Sequence, residues 1–182
     1  MSRMPSAQVR LFVMLAQKPP KAMIFRGGPS RQVLLISWDT AHDTFECGQW
    51  FKGRIHERRC DLSPDGDLLL YFAAKHRGPI QSWTALSRTP YLTALAMWPQ
   101  SGCYGGGGHF LSQHRIALNH EDSEMGLAEG FTLPKGLRVE QFSGRPDWAE
   151  DDPIWSQRLV RDGWELVSYP TSTKDEFGSR VL

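Results

Sequence analysis

Apolar residues recur along this chain in short runs that dense punctuation keeps apart. Extended segments are predicted at Val9–Leu15, Ala22–Phe25, Gln32–Trp38, Thr44–Cys47, Arg54–Cys60 and Leu68–Ala73, and again at Gln81–Leu86, Arg115–Leu118, Leu137–Phe142 and Trp164–Tyr169. The clearest unit is Cys60–Ala74. There Ser63-Pro64-Asp65-Gly66 supplies a tight turn: proline presets φ, aspartate bonds back to its own backbone, and glycine takes the left-handed position. The strand after it, Leu68–Ala73, is apolar at nearly every position, so it is predicted to be buried on one or both faces. Pro90–Trp98 suits a helix opened by Thr89 and Pro90 or a strand buried on both sides, and its strand neighbours favour the second. Strands this short with turns this frequent predict an all-β, mainly antiparallel domain with long loops and at most short helices.

The tail from Asn119 to Trp155 breaks that rhythm. It is rich in Glu, Asp, Gly and Pro and reads as acidic loops with one short strand, within a single β-rich domain spanning 1–182. Its Asp147–Asp152 run lacks the alternating acids and central glycine of a calcium loop, so it is read as a solvated turn. Trp155–Val167 regains a regular pattern and should pack back onto the sheet.

The turn Leu62-Ser63-Pro64-Asp65-Gly66 with its hydrophobic strand, together with Trp38-Asp39 at the end of Gln32–Trp38, resembles one blade of the WD-repeat type of β-propeller, from Gln32 to Ala74. A full ring of four blades needs about sixteen strands, more than this chain offers. The resemblance therefore implies an incomplete propeller or a ring closed by several chains, with an ordinary sandwich or barrel left open.

Composition narrows the class further. With 182 residues, 40 % apolar and 23 % charged, the chain can bury its own core and is neither disordered nor membrane-spanning in composition. The net charge of +1 gives no global pull toward nucleic acid. Three cysteines, Cys47, Cys60 and Cys103, are too few and too scattered for a disulfide scaffold. The apolar run Leu11–Ala16 is shorter than a secretory core and no cleavage site follows it, so a cytoplasmic protein with no membrane partner is expected.

Candidate chemistry lies in three places. Lys52, Arg54, His56 and Arg58 alternate, and in a strand would form one cationic face beside Trp50 and Phe51, suited to an anionic partner. Gly105–Gly108 leads into His109, with Cys103, Tyr104 and His114 nearby. The amides of Gly106 and Gly107 can converge on an anion, although the lysine and hydroxyl of a phosphate loop are absent. Cys103, with His109 or His114 as base, is the candidate nucleophile. The three cysteines with His42, His56, His109, His114 and His120 show no paired ligand spacing, so no metal and no cofactor are expected. The leading reading is a non-catalytic interaction module that offers a basic strand face and aromatic loops to a protein partner. Nucleic acid is a weaker candidate and oligomerisation stays open. The alternative is a small enzyme or ligand-binding protein built on the glycine loop.

Overall fold

The computed structural model describes residues 8–29, 31–75, 78–143 and 153–167. The Asp147–Asp152 loop and residues 168 and 169 of the last expected strand lie outside them. Twelve strands run in order: β1 (Arg10–Leu15), β2 (Lys21–Gly27), β3 (Gln32–Asp39), β4 (Thr44–Lys52), β5 (Arg54–Ile55), β6 (Asp61–Leu62), β7 (Leu68–Ala74), β8 (Ser82–Arg88), β9 (Ala94–Gln100), β10 (Gly108–Ser112), β11 (Arg115–Leu118) and β12 (Arg138–Gln141). One α-helix, α1 (Ile154–Arg161), and two short 3-10 turns, Glu57–Arg59 and Asp122–Glu124, complete the described elements.

The strands form three open sheets, none closed into a barrel. The first is the antiparallel meander β1-β2-β3-β4, the middle one is β5-β7-β8-β9 with β6 also on β7, and the third is β10-β11-β12. All pairs are antiparallel except β11 with β12. The chain is thus mainly antiparallel β, as the sequence predicts.

The sheets stack in layers around two cores. Phe25 and Leu35 of the first sheet pack on Leu69, Tyr71 and Ala73 of β7. Leu70, Leu86 and Trp98 on the opposite side of the middle sheet pack on Phe110, Ile116 and Leu118 of the third. Burial on both faces explains the unbroken apolar run of β7. The Ser63–Gly66 turn before it forms as predicted. Ser63 Oγ donates to Asp65 Oδ1 (2.6 Å), and Asp65 Oδ1 accepts the Asp67 amide (3.0 Å). Gly66 sits at φ +77°.

The first sheet has a second, outward face. Its registers align Leu15, Ala22, Trp38 and Phe45 in one row, then Val13, Ile24, Ile36 and Cys47, then Leu11, Arg26, Leu34 and Trp50. None of these residues belongs to either core.

Several expectations are corrected. Arg54–Cys60 is not one strand. Two residues of β5 lead into the 3-10 turn Glu57–Arg59, because the chain must leave the first sheet at Gly53 and drop into the middle one. Gly53 is where it turns: a Cβ there would sit 2.5 Å from the Phe51 ring. Gly108 and His109, read as part of a glycine loop, open strand β10. Residues 154–161 are helical and Trp164–Val167 have no regular structure, so the strand predicted at Trp164–Tyr169 is absent from its described part. Pro90–Trp98 resolves as strand from Ala94 onward.

Candidate functional site: a cationic cleft between two sheets

Where the first sheet hands over to the middle one, four separate pieces of chain surround a cleft of ≈ 490 Å³. They are the start of β1, the β2–β3 connection, the β4–β5 corner and the end of β7. Backbone bonds tie them together. Gly53 N donates to Arg31 O (2.9 Å), Gly28 N to Gln32 O (2.9 Å), and Arg54 pairs with Ala74 across β5 and β7. Gly28, at φ +106°, has no room for a Cβ because Gln8 O lies 2.6 Å from where it would stand.

Arg10, Arg31, Arg54 and Lys75 line the cleft against one carboxylate, Glu57. Arg10 Nη2 is bonded to Glu57 Oε1 at 3.0 Å, which spends that carboxylate. Lys75 Nζ lies 5.6 Å from the Phe51 ring and 5.7 Å from the Trp83 ring. Among the described residues no carboxylate pairs with Arg31, Arg54 or Lys75. Two like charges about 8 Å apart repel by about 0.5 kcal/mol in water and about 2 kcal/mol at a surface-like dielectric. A bound anion removes that repulsion, and the planar guanidinium groups suit a carboxylate or phosphate.

The alternating basic row is dispersed. Lys52 ends β4 opposite Gln32, and Trp50 stands on the outward face of the first sheet beneath the Arg26 guanidinium, 5.7 Å away. His56 is buried against Phe72 (5.2 Å between ring centroids), and Arg58 lies over Trp155 (5.4 Å). Only Arg54 reaches the cleft. Arg10, Arg31 and Lys75 were missed because each is an isolated cation at a strand end; only the handover between sheets brings them together.

The glycine run is architectural. Gly105, Gly106 and Gly107 all have φ between +73° and +86°, and a Cβ on Gly106 or Gly107 would collide with Phe72 or with the Arg59 backbone. Their amides are spoken for: Gly106 N donates to Asn119 O (2.7 Å) and Gly107 N to Thr84 Oγ1 (2.8 Å). The amides that would cradle an anion therefore hold the loop instead. Buried Arg59 completes the clamp, donating to the carbonyls of Cys103 (2.7 Å) and Gly105 (2.6 Å).

The two candidate bases lie at opposite ends of β10. His109 is buried in β10 with the Phe142 ring edge-on at 5.6 Å. Burial lowers its pKa below the usual imidazole range, while the charge of Asp61 acts against that shift. His114 is exposed in the β10–β11 turn, one strand length of roughly 17 Å from the Gly108 end that follows the Cys103 loop. Cys60 is buried and desolvation pushes its thiol pKa up, which suits an inert core residue. Cys47 is exposed on the outward face of the first sheet. His42 bonds Asp39 at 2.9 Å on the surface. Among the described residues no three His, Cys, Asp or Glu groups gather as metal ligands.

Sequence reasoning also missed the buried Asp61, which anchors α1. Arg161 Nη1 reaches Asp61 Oδ2 at 2.5 Å, Arg158 Nε lies 3.1 Å from Oδ1, and the Phe110 amide donates to Oδ2 at 2.7 Å. This carboxylate seals the free edge of β10. His120 makes a second buried link. Its Nδ1 faces the Glu124 carbonyl (3.0 Å), an acceptor, so the proton sits there and Nε2 accepts from Thr84 Oγ1 (2.8 Å). Burial lowers its pKa.

Site and fold together define a layered, mainly antiparallel β protein with a cationic inter-sheet cleft. Compared with known proteins, the chain matches no family model, no curated protein and no solved structure. No helix among the described residues is long and apolar enough to cross a membrane.

Proposed function

We propose that this protein is a non-catalytic interaction module that seats an acidic segment of a protein partner in the cleft between its first and middle sheets. The observation that carries this reading is the set of four cations, drawn from four separate segments, around one cleft whose single carboxylate among the described residues is already paired. A catalytic reading lacks comparable support, since the glycine loop is internally bonded and His109 is buried in a strand. An open cleft rimmed by flexible cations and flanked by Phe51 and Trp83 fits an extended acidic chain better than a compact metabolite.

The test is titration of a fluorescent glutamate-rich peptide at low and high salt, with single-stranded DNA and inorganic phosphate as competitors. Wild-type protein binds the peptide in a salt-sensitive manner, and the double variant Arg31→Ala/Arg54→Ala loses at least about tenfold in affinity. Equal binding by the double variant overturns the proposal. Stronger competition by DNA than by peptide transfers the cleft to nucleic acid.

A further inference from the structure

The two edges of the first sheet, β1 and β4, are finished differently. Strand β4 carries an extra residue against β3 between Cys47 and Trp50. The Gln49 amide donates to Pro90 O (3.1 Å), and Gln49 Oε1 accepts the Leu92 amide (2.8 Å). A bulge and a covering segment are common protections of a sheet edge. β1 has neither. Its six residues pair with β2 in unbroken register, and its one charge is Arg10 at the end. No described strand pairs with its other side.

Backbone alternation fixes what this edge offers. Ala16 N donates to Lys21 O (2.9 Å), so Met14, Phe12 and Arg10 are the residues of β1 that bond β2. The N–H and C=O groups of Leu11, Val13 and Leu15 point away from the sheet, spaced about 6.8 Å apart. Among the described residues no other backbone hydrogen bond reaches these three. Their side chains are 61 %, 46 % and 64 % exposed.

Beside this edge runs an open groove of ≈ 940 Å³, walled by residues 13–17 on one side and by α1 and residues 162–164 on the other. Phe12, on the core side of β1, meets Trp155 of α1 at 5.8 Å between ring centroids, so the helix lies on that side of the edge. Half-buried Trp155 and Leu159 and exposed Trp164 give the groove an apolar lining. Its cations are already matched. Arg158 and Arg161 both meet Asp61, and Arg161 also bonds Asp162 (2.9 Å).

We propose that β1 and α1 form a strand-addition site for an extended, uncharged segment of another protein with apolar side chains at alternate positions. Hydrogen bonding selects that occupant. Donor–acceptor pairs at every second residue of an unbulged strand match the backbone of another strand, whereas a helix or a compact ligand cannot meet them in sequence. The pleat then sets the side-chain pattern. Residues of the added strand opposite Leu11, Val13 and Leu15 stand on the outward face, and those between them point to the side where Trp155 and Leu159 lie. With its arginines already paired, the groove calls for a neutral segment, so it differs in chemistry from the cationic cleft.

Amide hydrogen exchange of the full chain, followed by nuclear magnetic resonance, tests both the open edge and the binding. In the free protein the Leu11, Val13 and Leu15 amides should exchange at least about tenfold faster than those of Phe12 and Met14. Equal protection of all five means that the edge is already covered and overturns the proposal. A neutral peptide of alternating valine and threonine should slow the three fast amides, and no change in them on adding it is equally fatal. Two further versions, N-methylated at the valines or at the threonines, keep the side chains, but only one presents its methyl groups to β1. That one should bind at least about tenfold more weakly than the other, and equal binding by both refutes strand addition without any change to the protein. Val13→Pro removes the central donor of the edge and leaves the β1–β2 bonds in place, because Val13 N does not face β2. It should weaken the unmodified peptide by a similar factor, with the Phe12 and Met14 amides still protected; full affinity in that folded variant puts the peptide elsewhere. A glutamate-rich peptide should not displace the neutral one, and displacement would collapse the two sites into one. The result is independent of the cleft, whose lining includes none of Val13, Trp155 and Leu159.

Discussion

The two ends of the three-sheet stack are finished differently. At the third sheet every conspicuous group is used internally. Asp61 seals the edge of β10 and holds α1, the glycine loop threads beneath Arg59, His120 bridges Thr84 and Glu124, and Arg115 pairs with Glu140 at 2.7 Å. At the first sheet the conspicuous groups are left over. Its outward face carries exposed apolar side chains such as Val13, Phe45 and Trp50, and a cleft gathers four cations around one carboxylate among the described residues. The contrast separates groups that hold the fold from groups available to a partner. The most eye-catching local motif of the chain, its run of glycines, belongs to the first kind.

That contrast can be broken experimentally, and the largest effects should come from the closed end. Asp61→Ala leaves buried Arg158 without its carboxylate and Arg161 with Asp162 alone, and should cost about 3–5 kcal/mol, read as a fall in the urea midpoint. Gly107→Ala combines a positive φ with a collision against the Arg59 backbone. A loss of about 3 kcal/mol, or roughly 6–12 °C in Tm, is expected. Full stability in either variant would mean that the closed end is not the anchor described above.

Acidification should act at the same end. His109 and His120 both have folded pKa values below the ordinary 6.5, for which burial is the leading cause. The folded state therefore binds fewer protons than the unfolded chain below that pH. Their contribution is complete above about pH 6.5 and declines as the pH falls toward the folded values. Urea midpoints measured stepwise from pH 7 downward should drop, and His120→Gln should flatten that slope. An unchanged slope would remove His120 from the account.

The smallest stability effects belong to the open end. Arg31→Ala and Arg54→Ala should each shift stability by no more than about 0.5 kcal/mol, yet both should weaken peptide binding. A large loss of stability in either of them would erase the distinction between the two ends.

Much of the fold could be read without coordinates. The Ser63–Gly66 turn and β7 are local: four residues set the turn, and a run of adjacent apolar side chains calls for cover on both faces. The same holds for β2, β3, β8 and β11, whose expected spans match the observed strands to within a residue or two. Helix α1 was missed because eight residues carry too weak a period. The available hint was Pro153 at its start, with Ile154 and Arg158 four residues apart on the buried side. β10 was masked by the glycines before it.

What the linear chain determined by itself is the strand-and-turn grammar, because turn chemistry and side-chain alternation act between neighbours a few residues apart. What only the tertiary structure decided is which charges meet. Lys52, Arg54, His56 and Arg58 are near neighbours in sequence, yet the corner at Gly53 sends them to different surroundings, while Arg10, Arg31, Arg54 and Lys75 come together from far apart. Electrostatic fields and cavities depend on distance through space, and that distance is set where one sheet hands the chain to the next.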